Sequence, residues 1–406
     1  MKILLINQSF VPPDEPGHTR HFEMAQYLRG CGHEMVIVAS DSNYQTGLRT
    51  VERKGLYVEQ VIDGVRILRA YSAQTLHQSY FGRFISFLSF MFSSVWAALQ
   101  VKQADLIMGT TPPIFQAVSA WFVAFLRRKP FLLEVRDLWP EFAISMGVIK
   151  NPIVITLAHW LENFLYARAT HILVNSPSYK EYITRKGVAE KKITFIPYGT
   201  DINMFNPNID GSSVREKLGL KDKFVVLYAG AMGQAHDLYT VLRAAKCLNE
   251  ESNIHFVFVG AGKERVNLEV EVKKMGLKNV LFAGTYPKKE MPMVIASADV
   301  CLAILQNLTM FRTTYPNKVF DYMASARPTI LVIDGVVREV IETSNGGVFV
   351  EPGNHELLAK TVLELSNDPQ RVKQMGENAR AYLVKNLDRR DKLAETLQLL
   401  EGLISK

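Results

Sequence analysis

One stretch of the chain gathers cations, an amide and an acid around a single helix start: Arg312-Thr313-Thr314-Tyr315-Pro316-Asn317-Lys318-Val319-Phe320-Asp321-Tyr322-Met323-Ala324. Pro316 opens the helix that the apolar spacing of Val319, Phe320 and Met323 predicts. A helix start offers free backbone N–H groups and positive potential, and Arg312 and Lys318 add charge, so the chemistry on offer is binding of a pyrophosphate. Asp321, one turn beyond Asn317, can accept hydrogen bonds from ribose hydroxyls. A solvated helix face accounts for Lys318 and Asp321 equally, and the pattern leaves both readings open. A second cluster, Glu134-Val135-Arg136-Asp137-Leu138-Trp139-Pro140-Glu141, follows an apolar run. Its charges land at the carboxyl edge of a sheet, where open α/β sheets bind ligands. A third is the polar loop from Pro12 to Arg20, with Gly17 and His18, which suits a lid or acceptor loop; for His18 and His21, surface or helix-entry polarity fits as well. In Tyr228-Ala229-Gly230-Ala231-Met232-Gly233, small residues let a phosphate approach the backbone, although glycine at such a turn is often geometry alone.

These clusters need strand ends to carry them. Short apolar runs predict strands at 3–6, 35–39, 106–109, 131–135 and 171–174, with helical patterns between them, such as His21 to Arg29. The alternation restarts at 224–228, with a helix over about 237–248 and further strands at 255–259, 280–283, 300–305 and 329–333. This is the βαβ pattern of doubly wound α/β domains with strands buried on both faces. A chain of 406 residues has room for two or three domains. The turn-rich segment Pro197-Tyr198-Gly199-Thr200-Asp201 is the linker candidate.

Composition narrows the function classes. The first 200 residues carry 21 Lys/Arg against 15 Asp/Glu, and the whole chain 47 against 40, so the positive excess lies in the first half. An anionic partner (a phospholipid surface, a lipid pyrophosphate or nucleic acid) and a merely solvated face fit equally; no recognition module for nucleic acid appears. The three cysteines, Cys31, Cys247 and Cys301, show no paired spacing. That predicts neither a disulfide framework nor a zinc site and suits a reducing cytoplasm. No secretory signal is read at the start, where Lys2 runs into Ile3-Leu4-Leu5-Ile6. From Phe84 to Val101 run 18 uncharged residues, 13 of them apolar. This stretch reads either as a helix lying on a membrane surface or as a buried helix covering a sheet; a spanning helix would break the first α/β domain. For Ile114 to Leu126, ending in Arg127-Arg128-Lys129, the sheet-covering reading is preferred.

The order and spacing of several segments resemble family 4 of the retaining glycosyltransferases. They are Gly32-His33-Glu34-Met35-Val36-Ile37-Val38, Tyr198-Gly199-Thr200-Asp201 through Phe205 and Pro207, Val259-Gly260-Ala261-Gly262-Lys263-Glu264, Phe282-Ala283-Gly284, Ala298-Asp299-Val300 and Lys318 to Ala324. The run Arg136 to Glu141 is similar to the branch that builds bacterial O-antigen, capsule and colanic-acid repeats, including N-acetylfucosamine transferases. The resemblance implies the GT-B fold: two doubly wound Rossmann-like α/β domains facing across a cleft. An acceptor-binding domain would span 1–199, completed by a C-terminal helix at 387–406, and a donor-binding domain 200–386. It implies transfer of a sugar, an N-acetylated amino sugar in the similar branch, from a nucleotide diphosphate such as a UDP-sugar. The acceptor is a saccharide or a polyprenyl-pyrophosphate-linked one, and the setting is cell-surface polysaccharide synthesis at the inner face of the cell membrane.

The implied chemistry is retaining and needs no cofactor or metal. Asp137, Arg136 and Lys318 are the catalytic candidates. Gly17, Gly230, Gly233, Arg312, Thr313, Asn317, Lys318 and Asp321 would bind donor, and His18, Arg20 and Glu141 acceptor. Asp321 matches the second acid of the family's paired-glutamate motif, while the first falls at Thr313. Ala231, Gln234 and Ala235 occupy the stretch where the family often carries Arg and Lys, which leaves more pyrophosphate charge to Lys318 and Arg312. Pro16 replaces one of two loop glycines. Three rivals remain. A sugar-nucleotide epimerase on the same fold would need a carboxylate set for proton abstraction. A dinucleotide oxidoreductase would need Gly-x-Gly-x-x-Gly after the first strand, where Asn7-Gln8-Ser9-Phe10 stands. A non-catalytic sugar-nucleotide binder is the reading Thr313 raises.

Overall fold

Runs of residues buried on both faces dictate parallel sheets here. Leu106–Thr111 and Val300–Ile304 are buried throughout, which only a sheet with helices on both faces provides. A computed structural model describes residues 1–15, 17, 19–44, 47–52, 55–75 and 79–405. Contacts divide the chain into two units, one running from Met1 to Pro197 and resuming at Leu393, the other from Tyr198 to Lys392.

The first unit contains β1 (Lys2–Ile6), α1 (Arg20–Gly30), β2 (Glu34–Ser40), β3 (Tyr57–Ile62), β4 (Val65–Ala70), α2 (Tyr80–Gln100) and β5 (Leu106–Thr111). It continues through α3 (Ile114–Arg127), β6 (Phe131–Val135), α4 (Glu141–Ser145), α5 (Pro152–Arg168), β7 (His171–Val174), α6 (Pro177–Arg185) and β8 (Ile193–Phe195). Its sheet runs β3-β4-β2-β1-β5-β6-β7-β8, parallel except for the antiparallel β3–β4 pair. That hairpin turns at Asp63-Gly64, both with positive φ, and was not among the strands expected from the apolar runs.

The second unit holds α7 (Ser212–Lys217), β9 (Phe224–Ala229), α8 (Leu238–Cys247), β10 (Ile254–Val259), α9 (Arg265–Met275), β11 (Val280–Gly284), α10 (Met291–Ala296) and β12 (Val300–Ile304). There follow α11 (Asn317–Ala324), β13 (Thr329–Val332), α12 (Val336–Ser344), β14 (Gly347–Phe349), α13 (His355–Ser366) and α14 (Pro369–Asn386). The last helix, α15 (Arg389–Ile404), begins in the second unit, and Leu400 and Leu403 join the core of the first. The second sheet is parallel throughout, in the order β11-β10-β9-β12-β13-β14. In both sheets the strand order reverses beside the first strand, at β1/β5 and at β9/β12, and such switch points open crevices at the carboxyl ends of the strands.

Helix α2 packs one face on the sheet, as the sheet-covering reading expects, and leaves another exposed. Phe90, Ala97 and Ala98 are buried toward the sheet, while Phe81, Phe92 and Trp96 are exposed. Its serines face inward: Ser93 donates to the Tyr71 carbonyl at 2.6 Å, and Ser86 pairs with Ser72 at 2.9 Å. The helix therefore buries Ser86, Ser93 and Ser94 and exposes Phe81, Phe84, Phe92 and Trp96, the reverse of a helix facing water. Helix α3 packs close to the sheet at Gly109, where a Cβ would meet that of Ala120 at 2.6 Å. It leaves Phe125 and Leu126 exposed, as α5 does Ile153, Leu157 and Trp160. Arg127 donates to the Ala98 and Leu99 carbonyls at the end of α2, at 3.1 and 2.9 Å.

Candidate functional site

In the second unit the donor-binding candidates gather at the β9/β12 switch point. After β9 the chain turns through Gly230 at φ +150°, and the Gly230 N–H donates to the Val259 carbonyl at 2.9 Å. A Cβ on Gly260 would strike the Gly230 carbonyl, so Gly260 serves the close approach of two loops rather than a ligand. A Cβ on Gly230 would strike the Lys318 Nζ. Gly233 sits in ordinary extended backbone, its empty side-chain position 3.8 Å from His236 Nδ1.

Lys318 lies in the first turn of α11, behind Pro316, and no side chain caps that helix start. Part of its stem is exposed, but its Nζ is buried with no hydrogen-bond partner, 4.2 Å from the Tyr228 ring centroid. Burial pulls its ammonium down to about 7. His236 Nδ1 is also buried and unpartnered, beside the same tyrosine with ring centroids 6.2 Å apart. Burial, and then the charge of Lys318, lower its imidazole to about 3, against the opposing pull of the Gly233 backbone. An unpaired buried ammonium is costly unless an anion joins it.

The other residues of the predicted motif are placed differently. Asn317 is partly exposed at the first position of α11. Arg312 is exposed and lies 3.7 Å from Asp334, too far for a hydrogen bond. Thr313 donates to the Met310 carbonyl at 2.6 Å within a turn of 3-10 helix. Asp321, expected to stand open for a ribose, has one oxygen accepting from Thr200 Oγ1 at 2.9 Å and the other 3.0 Å from Lys288 Nζ. Its shorter side chain is thus already engaged, and a ribose would have to share its remaining lone pairs.

In the first unit a buried network stands at the carboxyl end of β6. The amide of Asn7 donates to His21 Nδ1 at 2.9 Å, so the proton on Nε2 goes to Glu134 at 2.8 Å. Burial works to raise the Glu134 carboxyl, but Arg20 and then His21 outweigh it and hold it well below the usual range. Burial pulls His21 down to about 4. Arg20, expected to meet the acceptor, is paired with Glu134 instead. Sequence reading missed this network because its members are 14 and 113 residues apart. The apolar run around Glu134, with a charge where a strand should bury only apolar groups, was the available signal.

Arg136 holds the loop after β5, its guanidinium donating to the Pro112 carbonyl at 2.7 Å and the Thr111 carbonyl at 3.2 Å. Asp137 is exposed and makes no side-chain hydrogen bond or ion pair among the described residues. Surrounding protein pushes its carboxyl up to about 6, against the pull of Arg136 and Arg20. Glu141 accepts from Tyr182 at 3.0 Å and lies 3.7 Å from His159, which ties it to α5 and α6 rather than leaving it open for an acceptor. Gly17 has φ +146°, and a Cβ there would meet Val11 at 2.9 Å. His18 lies outside the described residues. Among the described residues no three His, Cys, Asp or Glu side chains gather as metal ligands.

Two family descriptions match consecutive stretches of this chain: a glycosyl transferase 4-like domain over residues 17–199, and glycosyl transferases group 1 over residues 212–382. Together with two parallel α/β units, they define the chain as a glycosyltransferase of the GT-B fold. Among individual relatives it is similar to the protein named as the colanic acid biosynthesis glycosyl transferase WcaI of Escherichia coli (strain K12). That match is 24% identical and covers 99% of this chain and 100% of the relative. Two solved structures share the fold. HepE of Anabaena, in complex with UDP, matches with a TM-score of 0.73 at 18% identity, covering 99% of this chain and 100% of that one. Sucrose-phosphate synthase from Thermosynechococcus elongatus matches with a TM-score of 0.78 at 19% identity, covering 100% and 99%.

Proposed function

We propose that this glycosyltransferase moves a sugar from a UDP-linked donor to a saccharide or polyprenyl-pyrophosphate-linked saccharide, with retention and without a metal, in the synthesis of a cell-surface polysaccharide. The observation that carries the reading is the buried, unpartnered Lys318 nitrogen between the glycine loop after β9 and the start of α11. A diphosphate there meets one cation and free helix N–H groups. The bond from the anomeric carbon to the phosphate oxygen breaks as the acceptor oxygen attacks from the same face, and the departing phosphate takes the acceptor proton. Rate then comes from orientation and from stabilising the leaving charge. Asp137, exposed and unpaired, positions the acceptor, and Arg136 fixes the loop beneath it. An N-acetylated amino sugar as donor rests on the resemblance of Arg136 to Glu141 to the O-antigen branch.

The reading also places the first unit on the inner face of the cell membrane. Support comes from the outward aromatics of α2, joined by Phe125 of α3 and Trp160 of α5, and from the basic first half of the chain. Helix α2 is long and apolar enough to cross a membrane, but its inner face is committed to the sheet.

Thermal shift of the pure protein against UDP, GDP, dTDP and NAD, without metal, tests the donor class. Stabilisation by UDP above the others is expected. A shift with NAD alone, or none with any nucleotide diphosphate, would overturn the proposal.

A further inference from the structure

We propose that Lys318 and His236 form a two-nitrogen cradle in which the diphosphate of the donor is bound together with one proton taken from solvent. The inference rests on the donor reading above and deepens it by adding a residue, His236, and a linked protonation to that site.

Geometry carries it. Both nitrogens are buried; Lys318 Nζ has no hydrogen-bond partner, and the His236 ring has only the Gly233 backbone near it, outside normal hydrogen-bond geometry. Both lie against Tyr228, whose own hydroxyl is committed to the Ala231 carbonyl at 2.6 Å. Orphaned polar atoms at such depth are uncommon. Two of them beside one ring, next to a glycine loop that leaves no room for a Cβ, describe a ligand site. His236 comes from the turn of 3-10 helix at Gln234–His236, which the loop after β12 pins in place. There the Gln306 N–H donates to the Ala235 carbonyl at 2.9 Å, and the Gln306 side chain donates to the Gln234 carbonyl at 2.8 Å.

Among the described residues no carboxylate is paired with either nitrogen: Asp237, next to His236, accepts from Thr240 at 2.7 Å, and Glu264 accepts from Asn267 at 3.2 Å. On α11 itself Asp321 is held by Thr200 and Lys288. From β12 the titratable group is Cys301, buried with its thiol pushed up by that burial. β13 brings none, and from α14 the Arg380 guanidinium is spent on the Phe205, Ala324 and Ile202 carbonyls. The empty cradle is therefore desolvated and uncompensated, and burial holds both nitrogens toward their neutral forms. An arriving diphosphate reverses this for Lys318, because it supplies the missing charge. The proton that completes the ammonium comes from solvent, while neutral His236 donates from Nδ1.

Isothermal titration of the full-length protein with UDP at pH 8, in two buffers of different ionisation enthalpy, counts that proton. At pH 8 the terminal phosphate of UDP, with a pKa near 6, is ionised and contributes nothing; at pH 6 it is about half protonated, and methyl-UDP, which lacks that ionisation, serves as the probe there. Uptake of about one proton per UDP is expected at pH 8 and little at pH 6, with affinity falling up to about tenfold per pH unit above 7. Uridine, which lacks the diphosphate, should take up none. Lys318→Met should abolish the uptake. His236→Phe should keep it and weaken UDP about tenfold, with His236→Gln restoring part of the loss. UDP binding in wild type with no uptake at pH 8 overturns the inference and leaves the donor reading standing. So does proton uptake with uridine, or unchanged affinity in a folded His236→Phe protein. No UDP binding under any condition removes both.

Discussion

Replacing Lys318 with Met should make the empty protein more stable and the enzyme inactive. Met keeps the length and apolar character of the stem and removes the ammonium. In the unfolded chain the lysine titrates near its ordinary value, while in the folded one burial has lowered it to about 7. Between those values the unfolded state holds a proton that the folded state lacks, so the wild-type fold loses stability as pH falls from about 10 to 7. The loss is complete below 7. At pH 8 the gap spans about 2.5 pH units, which at about 1.36 kcal/mol per unit is about 3 kcal/mol. For a domain of this size that corresponds to about 6–12 °C in Tm. Lys318→Met should therefore melt several degrees higher at pH 8, with a flatter dependence of Tm on pH between 7 and 10. UDP should stabilise it far less, because a hydrogen bond to a charged group contributes about 1.5–3 kcal/mol, or about ten- to a hundredfold in affinity. Scanning calorimetry with and without UDP across that pH range reads both effects. A variant that melts lower than wild type, or responds to UDP unchanged, would show that Lys318 supports the fold rather than the ligand.

Other outcomes follow from the same structure. Glu134→Gln should lower stability by about 3–5 kcal/mol in denaturant unfolding, because it strands Arg20 in a buried site; a loss under 1 kcal/mol would mean the network is not held as described. His21, pulled down to about 4, binds no proton in the fold where the unfolded chain binds one, so stability should fall as pH drops from 6.5 to 4. His21→Gln should remove that slope, and an unaltered slope would assign it to other groups. If Asp137 acts as a carboxylate, kcat should decline as pH falls through about 6, and Asp137→Asn should flatten that limb at a rate lowered about a hundredfold. Serine at Phe92, Trp96 and Trp160 should release the protein from anionic lipid vesicles while leaving transfer to a soluble acceptor intact; unchanged pelleting would return those helix faces to water.

The parallel sheets were legible because strands buried on both faces read as unbroken apolar runs, as at Leu106–Thr111 and Val300–Ile304. The β3–β4 hairpin was not, because β3 mixes Glu59 and Gln60 with exposed Val61 at a sheet edge and the Asp63-Gly64 turn was passed over. Helix α11 and its lysine were visible in the helical spacing after Pro316. What the spacing could not show is what each side chain already holds. Thr200 and Lys288 claim Asp321 from 121 and 33 residues away, and Tyr182 claims Glu141 from 41. Contacts between distant segments are set by the sheet order, which a linear pattern does not encode. For the same reason His236, isolated in sequence beyond the glycine loop, gained a role only once Tyr228 and Lys318 stood beside it. Arg20 was expected to meet the acceptor, and only the placement of β6 shows that it is the counter-ion of a buried acid.

Transfer of a sugar from a UDP-linked donor with retention leaves a signature in the product's anomeric proton. Incubation with α-linked UDP-sugars and a saccharide acceptor in EDTA, followed by proton NMR of the product, measures it directly. An α-linked product forming together with UDP, and absent in the Lys318→Met protein, is the predicted result. A β-linked product, dependence on added metal, or UDP-sugar consumed without a new glycosidic bond would contradict it.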